Sequence, residues 1–534
     1  MYKNVLNQGI VVLIILFGSC FSAFSQTITA NPSATSASAD TKSDHPPAAN
    51  GQLSLSGQLR TRGEFRDGYG TLESTNNKDA AFVSQRTRIV FDYHSSKLIF
   101  HTSVQDVRLW GQDASTTSIT DGNRLEVHEA WGELVLSNKK DTSFIKSPFD
   151  YFGIRLGRQE LVYDDERLLG NLDWTQQGRR HDAIVFKALQ NGWQFDLGGA
   201  FNQNTDAINY NGTYYTPANV PATIKDSKGN LANTPSGTIP LINSTGISAK
   251  NGSPAFANPP GTNAATQDYK AMEYLYVAKK FNKTKISGLF LTDQFSKYVL
   301  DSVKNVSGTD VGYVYGRRFN QPGVNTRFTT GLLANPVFGD SDQWLGTAGY
   351  YYQGGHNRDG ASLSAYTYTL SLTYKPGKIG YTAGWDYLSG NNSFSSSTTD
   401  HRFDPLYGTP HKFWGYMDYF YAVSGAPTGG LSNPYLKVKY SASRLSVELA
   451  NHYFYLAQEQ KDINSQPVSK YLGTEFDLTT GYKLNKFTNV DLGFSYMAAT
   501  ASMEYAKNIT PGAARLNPVW AYLQLNIKPE FLNK

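Results

Sequence analysis

The chain of 534 residues contains a single cysteine, Cys20. Neither charge sign is in large excess: 49 Lys and Arg stand against 44 Asp and Glu, a net charge of +5. No polyanion-binding tail and no basic nucleic-acid patch follow from that balance. Long apolar runs are also missing. The run from Ile10 to Phe17 is far short of the roughly 20 residues a spanning helix needs, and no other run reaches that length. No Gly-rich phosphate cradle sits between a strand and a helix. No self-similarity recurs at the roughly 40–50-residue period of a propeller.

The N-terminus accounts for the one apolar run. Lys3 precedes it, small residues follow, and Ala23-Phe24-Ser25 before Gln26 fits a small-x-small cleavage site. Residues 1–25 therefore read as a secretory signal peptide. Phe17-Gly18-Ser19-Cys20 offers a rival, a lipoprotein signal with Cys20 acylated and kept. Cleavage after Ser25 removes the cysteine, and with it disulfide and thiolate chemistry, although the compartment is oxidising. An exported chain of this kind is soluble outside the inner membrane, or it is a barrel in the outer membrane.

Aromatic residues are abundant: 35 Tyr, 29 Phe and 8 Trp, 13% of the chain. Outer-membrane barrels place such residues in girdles at both interfaces. The negative mean hydropathy is compatible, because strands of a barrel alternate apolar-out with polar-in. A Tyr-rich soluble sandwich or propeller would share this composition, so periodicity has to separate them.

Residues 26–51, rich in Ala, Ser, Thr and Pro, read as a flexible periplasmic linker. From 52 to 534 alternation hardly stops. In GQLRTRGEFR, Gln58, Arg60, Arg62, Glu64 and Arg66 share one face, and Leu59, Thr61, Gly63 and Phe65 the other. In SQRTRIVFDYH, Arg86, Arg88 and Asp92 oppose Ile89, Phe91 and Tyr93. Short turns at 95–97, 190–192, 282–285, 376–378 and 484–487 alternate with long connections. These are 67–81, 109–123, 163–179, 204–268, 297–325, 389–432, 458–469 and 504–514. Short periplasmic turns facing long extracellular loops predict an all-β, transmembrane antiparallel barrel of about 18 strands around a water-filled bore. Gly and Pro blur the pattern between 326 and 352. The loop at 204–268, rich in Asn, Thr, Gly and Pro, reads either as partly disordered or as a cap for the mouth, and no plug domain is evident. In HKFWGYMDYFY (411–421) the aromatics serve either local packing or sugar binding.

One stretch stands out, RLGRQELVYDDERLLGNLDWTQQGRRHDAI at 155–184. Its charges cannot face lipid, where Arg or Lys near the midplane costs about 2–4 kcal/mol. The part GRQELVYDDERLLGNLDWTQQGRRHDA resembles the motif of the alginate-export family of outer-membrane barrels. QDVRLWG (105–111) and YLGTEFDLTTGYKLNKFTNVDLGFSYM (471–497) resemble the same family. The resemblance implies an 18-stranded barrel with an arginine-lined bore that passes a polyuronate. Candidate pore-lining residues here are Arg60, Arg62, Arg66, Arg86, Arg88, Arg108, Arg155, Arg158, Arg167, Arg179 and Arg180. The guanidinium fork pairs with carboxylates in two-pronged fashion. The alternative is a wall-bracing network in which these arginines pair with Asp92, Glu129, Asp164, Asp165, Glu166, Asp182, Glu475 and Asp477.

Catalysis is not expected. His181–Asp182 and His128–Glu129 are sequence neighbours, which on a strand face opposite ways and so form no direct dyad. Asp164, Asp165 and Glu166 lack the spacing of a glycosidase pair or a full Ca²⁺ loop. No cofactor and no metal are expected. The expected partners are anionic polysaccharide or small anionic solutes, outer-membrane lipid and a periplasmic secretion partner. The competing readings are a general small-solute porin working in uptake and a secreted polysaccharide lyase on a β-scaffold.

Overall fold

The computed structural model describes residues 51–112, 125–139, 145–203, 220–242, 246–250, 269–307, 310–421, 427–462 and 464–533. The expected signal peptide, Cys20 and nearly all of the linker lie outside these, as do 204–219, 243–245 and 251–268 of the longest loop. Eighteen barrel strands are numbered here in chain order. They are β1 (Gln52–Asp67), β2 (Ala80–His94), β3 (Leu98–Leu109), β4 (Leu125–Asn138), β5 (Tyr151–Gln159), β6 (His181–Gln190), β7 (Trp193–Phe201), β8 (Ala271–Phe281) and β9 (Thr284–Ser296). They continue as β10 (Val324–Asn335), β11 (Trp344–His356), β12 (Ser362–Tyr374), β13 (Ile379–Leu388), β14 (Leu431–Ser441), β15 (Leu445–Tyr455), β16 (Tyr471–Lys483), β17 (Thr488–Ala499) and β18 (Val519–Ile527). Each pairs antiparallel with its sequence neighbours, and β18 pairs with β1 from Leu59–Ile527 to Asp67–Val519, which closes the barrel. The stretch where Gly and Pro blur the pattern forms β10 and β11, with Tyr351 fitted over Gly331.

The period-two pattern has the polarity of a membrane barrel. Leu59, Ile89, Leu156, Leu197, Leu332, Leu370, Leu449 and Leu523 are all exposed on the outer face. Their strand neighbours Gln58, Arg60, Arg88's partner Gln105, Asp196, Thr369 and Gln524 are buried on the inner face. In water this arrangement would be inside out; in a bilayer it puts the apolar side in contact with lipid and satisfies every wall strand by pairing.

A water-filled bore was expected; the structure shows it partly occupied. Two long loops fold back into the barrel and fill part of it. The first, residues 160–180, joins β5 to β6; the second, within 389–430, joins β13 to β14. Leu161, Leu168 and Leu169 of the first pack with Phe403, Leu406, Tyr407, Trp414, Met417 and Phe420 of the second. Both pack on inner-wall side chains such as Tyr274, Tyr276, Phe295, Met497 and Trp520. The core of this molecule is therefore inside the barrel. The aromatics of 411–421 pack: Trp414, Tyr419, Phe420 and Tyr421 are buried.

The two loops interlock by backbone. Gly170 N–H donates to Tyr407 O, Tyr407 N–H to Leu168 O, and Thr409 N–H to Glu166 O. In a separate small sheet, the described part of 204–268 contributes Thr238–Pro240 beside the hairpin Val299–Ser307 and Asp310–Arg318.

Candidate functional site: an arginine-clamped loop inside the barrel

The site begins with strand register. Arg60 and Arg86 are directly opposite each other on β1 and β2. Like charges in that position repel, and both side chains are almost wholly buried, at 4% and 1% exposure. An anion between them resolves the conflict. Asp173 of the 160–180 loop supplies it, with Oδ1 2.7 Å from Arg86 Nη1 and Oδ2 3.3 Å from Arg60 Nη1. The loop's carbonyls complete the clamp. Arg60 donates to Asp173 O and Thr175 O, both at 2.7 Å, and Arg62 to Trp174 O at 2.8 Å. Gln176 accepts from Arg60 Nε at 2.9 Å and donates to Ser84 Oγ at 2.9 Å.

Charge converges on the same spot. Arg88 and Lys528 act electrostatically on Asp173, although among the described cationic side chains only Arg60 and Arg86 touch it. Burial works to raise the Asp173 carboxyl, but Arg86 and Arg60 outweigh it and hold it well below the usual range. Among the described residues Arg88 forms no ion pair; it donates to the neutral Oε1 of Gln105 at 2.7 Å. Gln105 in turn donates to Gln177 O and to Glu126. Arg62 lies over the Trp174 ring at 4.0 Å, and Trp174 stacks on His411 of the second loop at 4.1 Å.

The remaining candidates brace the wall and the loops. Arg66 pairs with Glu64 and covers Tyr69. Arg155 pairs with Glu133 at 2.7 Å over Trp131. Arg167 reaches from the first loop to Asp386 at 3.1 Å and Thr369, and also meets Asp165. Arg179 donates to Gly408 O, joining the two loops. Arg180 pairs with Glu126 at 3.0 Å. Asp164 accepts from Tyr276 and Ser287, each at 2.7 Å, and pairs with Lys285. Glu166 accepts from Thr409 and pairs with Lys412. Asp92 and Glu129 share His101. Glu475 accepts from the Met417 N–H, and Asp477 from Ser495. Asp164, Glu166 and Leu172 take φ of 54°, 68° and 49°, left-handed geometry that non-glycine residues hold only when anchored this firmly.

Two arginines do not line the bore. Arg108 pairs with Asp106, and Arg158 with Asp182, on the outer face near the long-loop end. Parity explains it: Arg158 shares its face with Leu156, 62% exposed, and Asp182 shares its face with Ile184. Asp173, Glu64, Glu133 and Asp386, the acids that bind most of the inner arginines, were not among the expected counter-charges. Nor was Arg327 among the expected arginines; it holds Asp293 of the wall at 2.9 Å and Asp404 of the second loop at 2.8 Å.

The expectation that His128 and Glu129 face opposite ways fails. The β3–β4 register slips between Ser103–Glu129 and Val104–Val127, so His128 is the extra residue of a bulge. His128, Glu129 and Glu160 then bring ligand atoms within 4.8 Å of one another. The set could take a cation, but hydrogen bonds already tie it. His128 Nε2 meets Glu160 Oε1 at 2.8 Å, and Asn171 donates to Glu160 Oε2. Burial, then the charge of Glu129, raises the Glu160 carboxyl.

Solved structures are similar in fold over nine-tenths of the chain. The outer membrane protein opdK from Pseudomonas aeruginosa is 9% identical, with a TM-score of 0.50 over 90% of this chain and 99% of its own. OccAB1 from Acinetobacter baumannii is 12% identical, at 0.51 over 90% and 97%. OpdL from Pseudomonas aeruginosa is 10% identical, at 0.51 over 90% and 99%. No curated protein matches by sequence. The closed barrel with its apolar outer face is that of a protein of the Gram-negative outer membrane. Residues 51–200, which carry β1 to the end of β7 and the clamped loop, match the alginate export family.

Proposed function

We propose that the protein is a passive channel for carboxylate-bearing solutes, with an alginate-like polyuronate as the polymeric case. The observation that carries this reading is the Arg60–Arg86 pair, two buried guanidiniums in direct register that require a carboxylate between them. Arg88 and Lys528 add to the positive field at the same carboxylate. Cations in series, none closing on a solute too tightly, let an anion enter and leave. No step of passage calls on a catalytic group. His181 bonds Tyr269 inside the wall while Asp182 points out.

A second reading has its own support. Two loops occupy the bore, and a narrowed passage suits small anionic solutes better than a chain of sugars. Planar-bilayer recording separates the readings. For a polyuronate conduit, oligouronates added to one side interrupt single-channel current, and neutral oligosaccharides of equal length do not. Equal interruption by both would support a general small-solute porin. Protein that stays soluble without detergent and makes no channels would return the secreted lyase to consideration.

A further inference from the structure

The clamp has an asymmetry. The guanidiniums of Arg60 and Arg86 are sealed from solvent, at 5% and 1% side-chain exposure, whereas the Asp173 side chain is 42% exposed. Asp173 sits inside the barrel wall, so that exposure is to lumenal water. Lys528, which follows β18 on the short-turn side, acts on the same carboxylate. The carboxylate, not either guanidinium, is the member of the clamp open to the lumen.

The contacts also differ in kind. Among the described residues Asp173 contributes the one negative charge that touches the arginine pair; the loop's other acceptors on Arg60 and Arg86 are the neutral carbonyls of 173, 175 and 176 and the Gln176 amide. What two opposed guanidiniums need is a carboxylate, not this carboxylate in particular. We infer that Asp173 is a tethered stand-in for the solute's carboxylate, holding the 160–180 loop across the bore until a lumenal carboxylate replaces it on Arg60 and Arg86. The loop is then an autoinhibitory element that the transported class of solute itself releases. This rests on the reading that these arginines receive the solute.

The test is the dwell time in the larger of two conductance levels, recorded in planar bilayers with and without glucuronate. In the wild-type protein glucuronate lengthens the open fraction. Asp173→Asn raises that fraction without glucuronate by about tenfold, the weight of one charge-assisted hydrogen bond, and glucuronate adds nothing further. Gln176→Ala, which loosens the same loop without changing charge, raises it less and keeps the glucuronate response. Heat-modifiable gel migration verifies that each barrel is folded. An open fraction in Asp173→Asn equal to wild type, or an equal glucuronate response in both, overturns the inference. The reversal potential measured in the same membranes keeps the two ideas apart. A wild-type channel without anion preference whose Asp173→Asn form still opens removes the solute reading and leaves a simple loop anchor. An anion-selective channel with unchanged gating removes the stand-in alone.

Discussion

Arg60 and Arg86 show how one residue pair can decide where a loop lies. Opposed arginines on neighbouring strands are destabilising unless an anion bridges them, and Asp173 is that anion. The pairing carries a pH dependence. A carboxyl held below its unfolded value, here by Arg86 and Arg60 against the effect of burial, contributes stability that is fully present above that unfolded value. The contribution is lost as pH falls through the lower folded value. The groups facing Asp173 are Arg60, Arg86, Arg88 and Lys528, all cationic at acid pH, with Glu160 also within electrostatic reach. The open fraction should therefore be flat from pH 7 to pH 5 and rise below about 4, the ordinary aspartate range. A rise between pH 7 and 6 instead would assign the control to another group. At this scale the sequence was half legible. Arg60, Arg62, Arg86 and Arg88 announced themselves by mid-strand position and phase. Asp173 stood in the Asp-Trp pair of the quoted motif, but nothing local shows that it reaches strands more than 80 residues away. Arg158 could have been excluded by parity with Leu156.

The two inward loops behave as one element. They meet at Gly408, where an added Cβ would lie 2.1 Å from Arg167 O and 2.9 Å from Glu166 O. Gly408→Val therefore cannot keep the backbone contact and should cost the loop–loop packing roughly 1–3 kcal/mol, the usual range for overpacking. The expected outcome is a larger mean conductance in protein whose gel migration still shows a folded barrel. Unchanged conductance would mean that the loops do not restrict the passage. The inward course of these loops was not read from sequence, because a loop's composition describes its solvent and not its destination. The dense aromatics of 411–421 and Trp174 were the available signal, since side chains of that size seldom remain in water. The bulge at His128 was hidden for a different reason: one extra residue in one strand is visible only against its partner's register.

For the whole molecule, the fold was the most legible feature, because side-chain alternation is local and recurs in eighteen strands, and short turns alternate with long loops between them. Lipid selects the apolar outer face, strand pairing satisfies the backbone, and closure of β18 on β1 leaves no free edge. The interior is then free to be polar, and this chain spends that freedom on arginines and on the two loops they hold. The most direct test of this account is the reversal potential across a KCl gradient, compared between the wild type and the triple variant Arg60→Gln, Arg86→Gln, Arg88→Gln. The account predicts anion selectivity in the wild type and a clear shift toward cations in the variant. A wild-type channel that prefers cations, or a variant with the same reversal potential as the wild type, would contradict it.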